Sequence, residues 1–467
     1  MIVLQRHEPQ SLLFHLRRTI TLALPIIIAR AALVVMFTVD TVMVGRAGAA
    51  ELAYFGLGVA PQLTLMLIAV GALQATAVLA SQALGAGDAR RAGAILRAAL
   101  AHAVAMGFAV LVLSAFAEAF FLGTGQTREL AAGAARVSLA FGYGMPGILL
   151  FVACNLFLEA TGRPKTGMAI MLAANLLNIP LNMIFGFGWG GLVAPMGAEG
   201  VMLASSLARS FAGLTVLAIL IDQARRDDAF QILPSRKFGP AFAGMWFDPD
   251  ARLLRRLGLP MGLAQGVESA AFATVVMMAG RLGTAELAAY QTTMTLVTLT
   301  FMMAIGTAGA TAIRVGRAFG ERDCGNIGRA GWAGILVGAL WPVPVALFFF
   351  SAPETAALAV TSDPATVAAA GRALFIAGFM LSVDAAMAVA IGALRGLGDV
   401  WWPTLLQIGA FWLVAIPCAY VTAIALKLGA GGLIGGLMAG IIVSFTGLAL
   451  RFRYQVARHA ARPAPLG

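Results

Sequence analysis

Charged side chains are scarce in this sequence. Asp, Glu, Lys and Arg together make up 11% of its 467 residues, whereas hydrophobic residues make up 60%. About a quarter of the residues are charged in soluble globular proteins, so the scarcity excludes that class. The charges also fall in clusters. Between the clusters lie apolar stretches of roughly 20–25 residues, the length that a membrane-spanning helix needs.

Cysteine and the common catalytic motifs are scarce as well. The three cysteines, Cys154, Cys324 and Cys418, are far apart and form no CxxC pair, so neither a zinc site nor a disulfide framework is indicated. There is no P-loop, and we therefore do not expect ATP to drive the protein. No HExxH or GxSxG motif lies within the apolar stretches. We expect a protein that is not an enzyme and that needs no cofactor.

The apolar stretches predict an all-α integral membrane protein with twelve transmembrane helices. The predicted spans are residues 20–44, 55–82, 92–116, 132–158, 166–187, 198–222, 257–280, 289–313, 330–351, 370–394, 403–426 and 432–450. The abundant glycine, 54 residues, fits this class, because small residues let membrane helices approach each other closely.

Basic residues are distributed unevenly between the predicted loops. If the N-terminus is cytoplasmic, 24 of the 32 Lys and Arg residues lie in cytoplasmic segments and 6 in outer segments, and Arg30 and Arg209 lie inside helices. Cytoplasmic loops of membrane proteins carry such an excess. We therefore expect a multi-pass protein of the inner cell membrane with both termini in the cytoplasm, and we read the positive charge as a topology signal rather than a nucleic-acid site.

The chain contains an internal repeat. The segment LALPIIIARAALVVMFTVDTVMVGRAGAAELA from Leu22 aligns without a gap with LGLPMGLAQGVESAAFATVVMMAGRLGTAELA from Leu257. We predict a six-helix N-terminal lobe (1–222), a cytoplasmic linker (223–252) and a six-helix C-terminal lobe (253–467). Because six is even, both lobes begin on the same face, as in a parallel repeat. Two pseudo-symmetric lobes around a central cleft are typical of alternating-access transporters.

Three acids lie deep within the predicted spans, as do Arg30 and Arg209. Glu268 is twelve residues from Arg256 and thirteen from Arg281, which is roughly 18 Å in a helix and places it near the midplane. A charge there costs about 2.5–3.5 kcal/mol on insertion scales, and such residues are usually functional. Asp384 lies at a similar depth, and Asp40 lies in the outer half of the first helix. We expect these carboxylates to bind a cation, for which Na⁺ and H⁺ both qualify.

Several of these motifs resemble one transporter family. QALGAGD (82–88), RVGRAFGERD (314–323), Glu268 eight residues after a proline, and Asp384 ten residues before LRGLGD resemble the multidrug and toxic compound extrusion (MATE) family. NIPLNMIFGFGWGG (178–191) resembles its NorM-like branch. The resemblance implies a V-shaped protein that exports organic cations in exchange for Na⁺ or H⁺.

The resemblance also implies roles for particular residues. Glu268 and Asp384 would form the cation site of the C-terminal lobe, where Na⁺ is a candidate ligand, and Asp40 would have a coupling role. Asn182 stands where another branch of the family uses an acid. Arg30, Asn178 and Asn182 are further candidate polar residues of the cleft. Arg30 is unusual for the family, and we expect it either to approach Glu268 or Asp384 or to extend toward the cytoplasmic interface.

Two other functions remain open from the sequence. One is a flippase of lipid-linked precursors from the same superfamily, which would need several cationic side chains for phosphates, and only Arg30 and Arg209 qualify. The other is a non-transporting membrane scaffold or receptor, which has no need for acids at the midplane. The expected partners are small organic cations and membrane lipids, not nucleic acid, and we expect a monomer.

Overall fold

The computed structural model describes residues 12–232 and 246–461, and all regular secondary structure in these residues is helical. Twelve of the helices are long and apolar enough to span a membrane, which confirms the prediction. We name them α1 to α12: Phe14–Ala47, Ala49–Gly85, Ala89–Ala115, Arg128–Ala160, Pro164–Phe187, Gly197–Arg226, Pro249–Arg281, Thr284–Gly320, Cys324–Ser351, Pro364–Gly396, Trp401–Ala425 and Gly429–Ala460. Each predicted span lies within its helix or ends one residue beyond it. Part of the predicted linker, residues 233–245, lies outside the described residues.

Short helical segments and irregular turns interrupt this pattern. Short helices cover Ala117–Gly123 and Pro353–Leu358, and a 3₁₀ turn covers Trp189–Gly191. Helix α9 is interrupted at Pro342 and resumes at Val343. The interruption occurs because proline lacks the backbone N–H that a continuous helix needs. Helix α11 contains two π-helical turns, Ala410–Ala415 and Val421–Ala425, on either side of Pro417.

The helices form two compact units. The N unit comprises the described parts of Ile28–Leu84 and Asp88–Gly266, and the C unit comprises the described parts of Met1–Ile27, Gly85–Gly87 and Val267–Gly467. This division cuts α1 and α7, whereas the predicted lobes follow the sequence repeat. The lobe boundaries at 222 and 253 therefore stay a prediction.

Each half of the chain has one helix that is more buried than its other helices. In the apolar window of α4, 83% of the residues are buried, and in that of α10, the corresponding helix of the second half, 61% are buried. Within the N unit, Gly144 and Gly147 of α4 lie against Ser206 and Ser210 of α6, so closely that a Cβ at either glycine would collide with the serine. Small residues thus allow close packing around the central helix.

The sequence repeat is also visible in helix capping. Asp88 caps α3 by accepting a hydrogen bond from the N–H of Arg91 at 2.9 Å, and Asp323 caps α9 through the N–H of Asn326 at 3.0 Å. The carboxylate of Glu51 accepts from the N–H of Ala198 at the start of α6. Glu286 does the same for Ala430 at the start of α12, and both distances are 2.6 Å.

The first turns of α1 are anchored inside the C unit. Arg314 of α8 donates from Nη1 to the carbonyl oxygen of His15 at 2.7 Å, and its Nη2 lies 2.7 Å from Nδ1 of His15. It also donates to the hydroxyl of Thr19. One guanidinium thus ties this segment to α8.

Candidate functional site

Glu268 of α7 is half-buried and is held by a neighbouring helix. Its Oε2 accepts a hydrogen bond from Nε2 of Gln407 on α11 at 2.9 Å, and Trp412 on the same helix donates to the carbonyl oxygen of Val267 at 3.4 Å. Gln407 is 5% exposed. Because a buried polar group needs a partner, these contacts fix the carboxylate and α11 relative to each other.

Asp384 and Arg395 of α10 belong to the same electrostatic neighbourhood. The charge of Arg395 acts on Glu268, and the charge of Glu268 acts on Asp384. The structure thus brings together the two acids that the sequence singled out. When all three groups are ionised, two carboxylates face one guanidinium, so the cluster has one excess negative charge. Carboxylate oxygens and the amide oxygen of Gln407 are hard ligands of the kind that Na⁺ prefers.

Asp40 of α1 is completely buried in the N unit, where polar side chains surround it. Its Oδ1 accepts a hydrogen bond from Nδ2 of Asn182 on α5 at 2.9 Å, and its Oδ2 accepts from the hydroxyl of Ser205 on α6. Asn178 donates to Ser205 at 2.8 Å. The structure therefore places the two predicted asparagines in the shell of Asp40.

Arg209 is the basic neighbour of this cluster. It follows Ser205 by one turn of α6 and is 3% exposed. Its guanidinium carbon lies 4.8 Å from the ring centre of Phe141 and 5.9 Å from that of Phe37, and its charge acts on Asp40. Among the described residues, its Nε and Nη1 have no hydrogen-bond partner. Aromatic faces attract a guanidinium, so the rings and Asp40 together compensate its charge.

Arg30 has an acidic neighbour that the sequence reasoning missed. Its Nη2 lies 3.8 Å from Oε1 of Glu159 near the end of α4, and Asn155 donates to the same carboxylate oxygen at 2.6 Å. The predicted span ends one residue before Glu159, so this acid lies outside the predicted spans. Arg30 extends toward that end of its unit, and its expected approach to Glu268 or Asp384 stays a prediction.

Gln407 and Ser205 were also missed. Each is an uncharged polar residue in a long apolar span, and such residues usually have a partner on another helix. That signal was present in the sequence. It does not identify the partner, because 139 residues separate Gln407 from Glu268 and 165 separate Ser205 from Asp40.

Comparison with known proteins gives consistent matches along the chain. Residues 25–184 and 260–421 match the family model described as MatE. The two segments start at the prolines that the internal repeat aligns. The chain is 32% identical over 436 residues to the "Probable multidrug resistance protein NorM" of Caulobacter vibrioides, which covers 92% of this chain and 90% of that protein. Its identity to the protein of the same name from Deinococcus radiodurans is 31% over 448 residues, which covers 94% and 95%.

Solved structures share the fold. The eukaryotic MATE transporter AtDTX14 superposes with a TM-score of 0.84 at 18% identity, covering 96% of this chain and 99% of that one. A MOP superfamily transporter from Pyrococcus furiosus gives a TM-score of 0.85 at 21% identity, covering 98% and 100%. At such identities the likeness establishes the fold alone.

Proposed function

Because the chain belongs to the MatE family, whose members are multidrug efflux transporters and not enzymes, we propose that it is a secondary antiporter. It exports organic, mostly cationic compounds in exchange for Na⁺ or H⁺ by alternating access. It resides in the inner membrane with both termini in the cytoplasm. The observation that supports this proposal best is the cluster of Glu268, Asp384 and Arg395, with Gln407 bound to Glu268.

The excess negative charge of this cluster provides the means of exchange. An uncompensated charge inside a membrane is costly, so the cluster favours an occupant with one positive charge. A proton, a Na⁺ ion and the cationic centre of an organic compound each satisfy that need. These occupants exclude one another at a single site, and they favour different conformations of the protein. The movement of one across the membrane is therefore coupled to the movement of the other.

The two alternatives have less support. A flippase for lipid-linked precursors needs free cationic groups for phosphates, but Arg30 lies beside Glu159, and the charge of Arg209 is compensated by Asp40 and by the rings of Phe37 and Phe141. A scaffold or receptor does not agree with the family, whose relatives are named as multidrug resistance proteins. The coupling role of Asp40 stays a prediction.

The proposal is tested with everted membrane vesicles, in which export appears as uptake. A fluorescent organic cation is added to vesicles whose lumen is loaded with Na⁺ or acidified. Wild-type protein should accumulate it under at least one gradient, and Glu268→Gln and Asp384→Asn should each abolish this accumulation. Each change removes a charge that the exchange requires.

The controls make the same chemical change on exposed acids. Glu118→Gln and Asp222→Asn alter side chains on the surface and should transport like wild type. The amount of protein in the membrane is measured for every variant. Gradient-driven accumulation by both amide variants, at wild-type protein levels, would refute the assignment of coupling to this cluster.

A further inference from the structure

A polar cavity lies in the C unit, at the ends of α10 and α12. Its volume is about 260 Å³, and it is lined by the turn after α10 and by the last turns of α12: Leu397, Gly398, Asp399, Gln455, Arg458 and His459. Positions 455, 458 and 459 are three and four residues apart, so they lie on one face of α12. One helix face and one turn thus form the cavity.

The acid in this cavity already has a counter-charge. Oδ2 of Asp399 accepts a hydrogen bond from Nε of Arg451 at 2.8 Å and another from Nε2 of Gln455 at 2.7 Å. The ion pair of Arg451 and Asp399 is neutral, and the side chain of Asp399 is 11% exposed. Among the described residues, no ion pair involves Arg458. The cavity therefore has an excess of one positive charge, which belongs to Arg458.

The corresponding arginine of the first half has a carboxylate of its own. Arg226 and Arg458 each stand 29 residues after the first residue of α6 and α12. Arg226 lies 2.8 Å from Asp222, which precedes it by four residues. The residue four before Arg458 is Tyr454. The second half thus has the arginine without the pairing acid, and the guanidinium is available to an anion.

Aromatic and apolar side chains surround this polar cavity. The guanidinium carbon of Arg451, which binds Asp399, lies 5.1 Å from the ring centre of Trp402 and 5.6 Å from that of Tyr454. Both rings are more than half exposed, and Leu405, three residues after Trp402 on the same face of α11, is 55% exposed. Trp and Tyr are enriched where membrane and water meet. Polar and apolar surfaces thus lie side by side, as the head group and the acyl chains of a phospholipid do.

We propose that this cavity binds the phosphate group of an anionic phospholipid and that Arg458 is the cation that holds it. The single negative charge of a phosphate diester matches the single excess positive charge, and a guanidinium donates paired hydrogen bonds to phosphate oxygens. The basic loops predict that this end of α12 is cytoplasmic, the side on which basic pockets between membrane helices bind lipid head groups. A free phosphate would gain nothing from Trp402, Tyr454 and Leu405. Lipid binding here goes beyond the proposed antiport and does not depend on it.

The first test measures the melting temperature of the purified full chain in a neutral detergent as phosphatidylglycerol is added. A ligand of the folded protein raises the melting temperature, and the concentration that gives a fixed rise is proportional to its Kd. Arg458→Gln should increase this concentration about fivefold, the effect of one basic residue at an anionic membrane surface. Arg458→Lys keeps the charge and should remain closer to wild type.

Two exposed arginines serve as matched controls. Arg453→Gln removes the same charge from the same end of α12 at a position that does not line the cavity, and Arg226→Gln removes it from the corresponding position of the first half. Both should leave the required lipid concentration close to the wild-type value. Equal effects of Arg458→Gln and Arg453→Gln would overturn the assignment to the cavity.

Two other compounds separate the lipid from its parts. Phosphatidylcholine has acyl chains but no net charge, and inorganic phosphate has the charge but no acyl chains. Each should raise the melting temperature less than phosphatidylglycerol does. An equal rise with inorganic phosphate, lost in Arg458→Gln, would overturn the lipid as the occupant. No rise with phosphatidylglycerol would overturn the site.

The second test locates the head group on the wild-type chain in membranes. A phosphatidylglycerol with a photoreactive head group is crosslinked to the protein, and the modified peptides are identified by mass spectrometry. Crosslinks should map to residues 397–402 and 454–459, and unlabelled phosphatidylglycerol should suppress them more than phosphatidylcholine does. Crosslinks confined to other segments would overturn the site. Neither test involves transport, so a failure of the antiport and a failure of the lipid site are distinguishable.

Discussion

At the scale of single residues, the pair of Arg30 and Glu159 illustrates how a buried charge depends on its partner. The side chain of Glu159 is 2% exposed and that of Arg30 is 16% exposed. Asn155 satisfies one oxygen of the glutamate, but it supplies no charge. Since desolvation is already complete for Glu159, the arginine is what makes an ionised glutamate tolerable at this position.

We therefore expect Arg30→Met to destabilise the protein by about 3 kcal/mol, the lower end for breaking a buried pair. Arg30→Met/Glu159→Gln should be more stable than Arg30→Met, because the glutamine keeps the contact with Asn155 and has no charge. The melting temperature in detergent measures both effects.

A surface pair serves as the control for this prediction. Arg226 lies 2.8 Å from Asp222, and both side chains are more than half exposed. Exposed pairs contribute about 0–1 kcal/mol, so Arg226→Met should change the melting temperature little. Equal losses for Arg226→Met and Arg30→Met would contradict the role assigned to the ion pair.

The sequence identified the acids near the membrane midplane better than it identified their partners. The numbers of residues between Glu268 or Asp384 and the flanking arginines were sufficient to place both acids near the midplane, because depth in a membrane follows from the rise of a helix per residue. Which side chains meet them depends on how helices pack, and packing brings together residues that are far apart in the chain. Gln407 therefore could not be assigned to Glu268, nor Ser205 to Asp40, from the sequence alone.

At the scale of helices, the starts of α6 and α12 share one capping arrangement. Gly197 and Gly429 have φ values of +58° and +59°, and a Cβ at either would collide with the carboxylate of Glu51 or Glu286. Those carboxylates accept the first N–H groups of the helices, which are otherwise without partners. The glycine thus supplies both the left-handed turn and the space for the cap.

Gly197→Ala and Gly429→Ala should destabilise the protein by similar amounts, because they occupy equivalent positions of the repeat. The left-handed backbone alone costs an L-residue about 1–2 kcal/mol, and displacement of the cap adds to this. Gly125→Ala is the matched control. It has a φ of +86° but open space around it, so its melting temperature in detergent should fall less. Equal losses in all three variants would contradict the cap.

Helix number and type followed from the sequence, whereas interruptions inside helices did not. Apolar length predicted each span, because the cost of unpaired backbone groups in lipid forces a helix. The π-helical turns of α11 around Pro417 depend on how the surrounding helices accommodate the missing hydrogen bond. Hydropathy contains no information about that accommodation.

At the scale of the whole molecule, the uneven distribution of basic residues predicts one orientation. In a variant without native cysteines, Leu192→Cys lies between α5 and α6, and Asp227→Cys lies just after α6. Both positions are exposed. A membrane-impermeant maleimide should label Leu192→Cys in intact cells and Asp227→Cys only after the cells are opened, since the basic loops are cytoplasmic. The reverse labelling pattern would contradict the predicted orientation, and with it the proposal that the protein exports its substrates.

The anchoring of His15 and Thr19 by Arg314 has a consequence for biosynthesis. The first helix leaves the ribosome 299 residues before the arginine that fixes its start. At about 5–20 residues per second, that interval is on the order of 15–60 s. During it, the start of α1 must wait in the membrane without its final contact. The start of α1 is thus secured only after α8 has been synthesised.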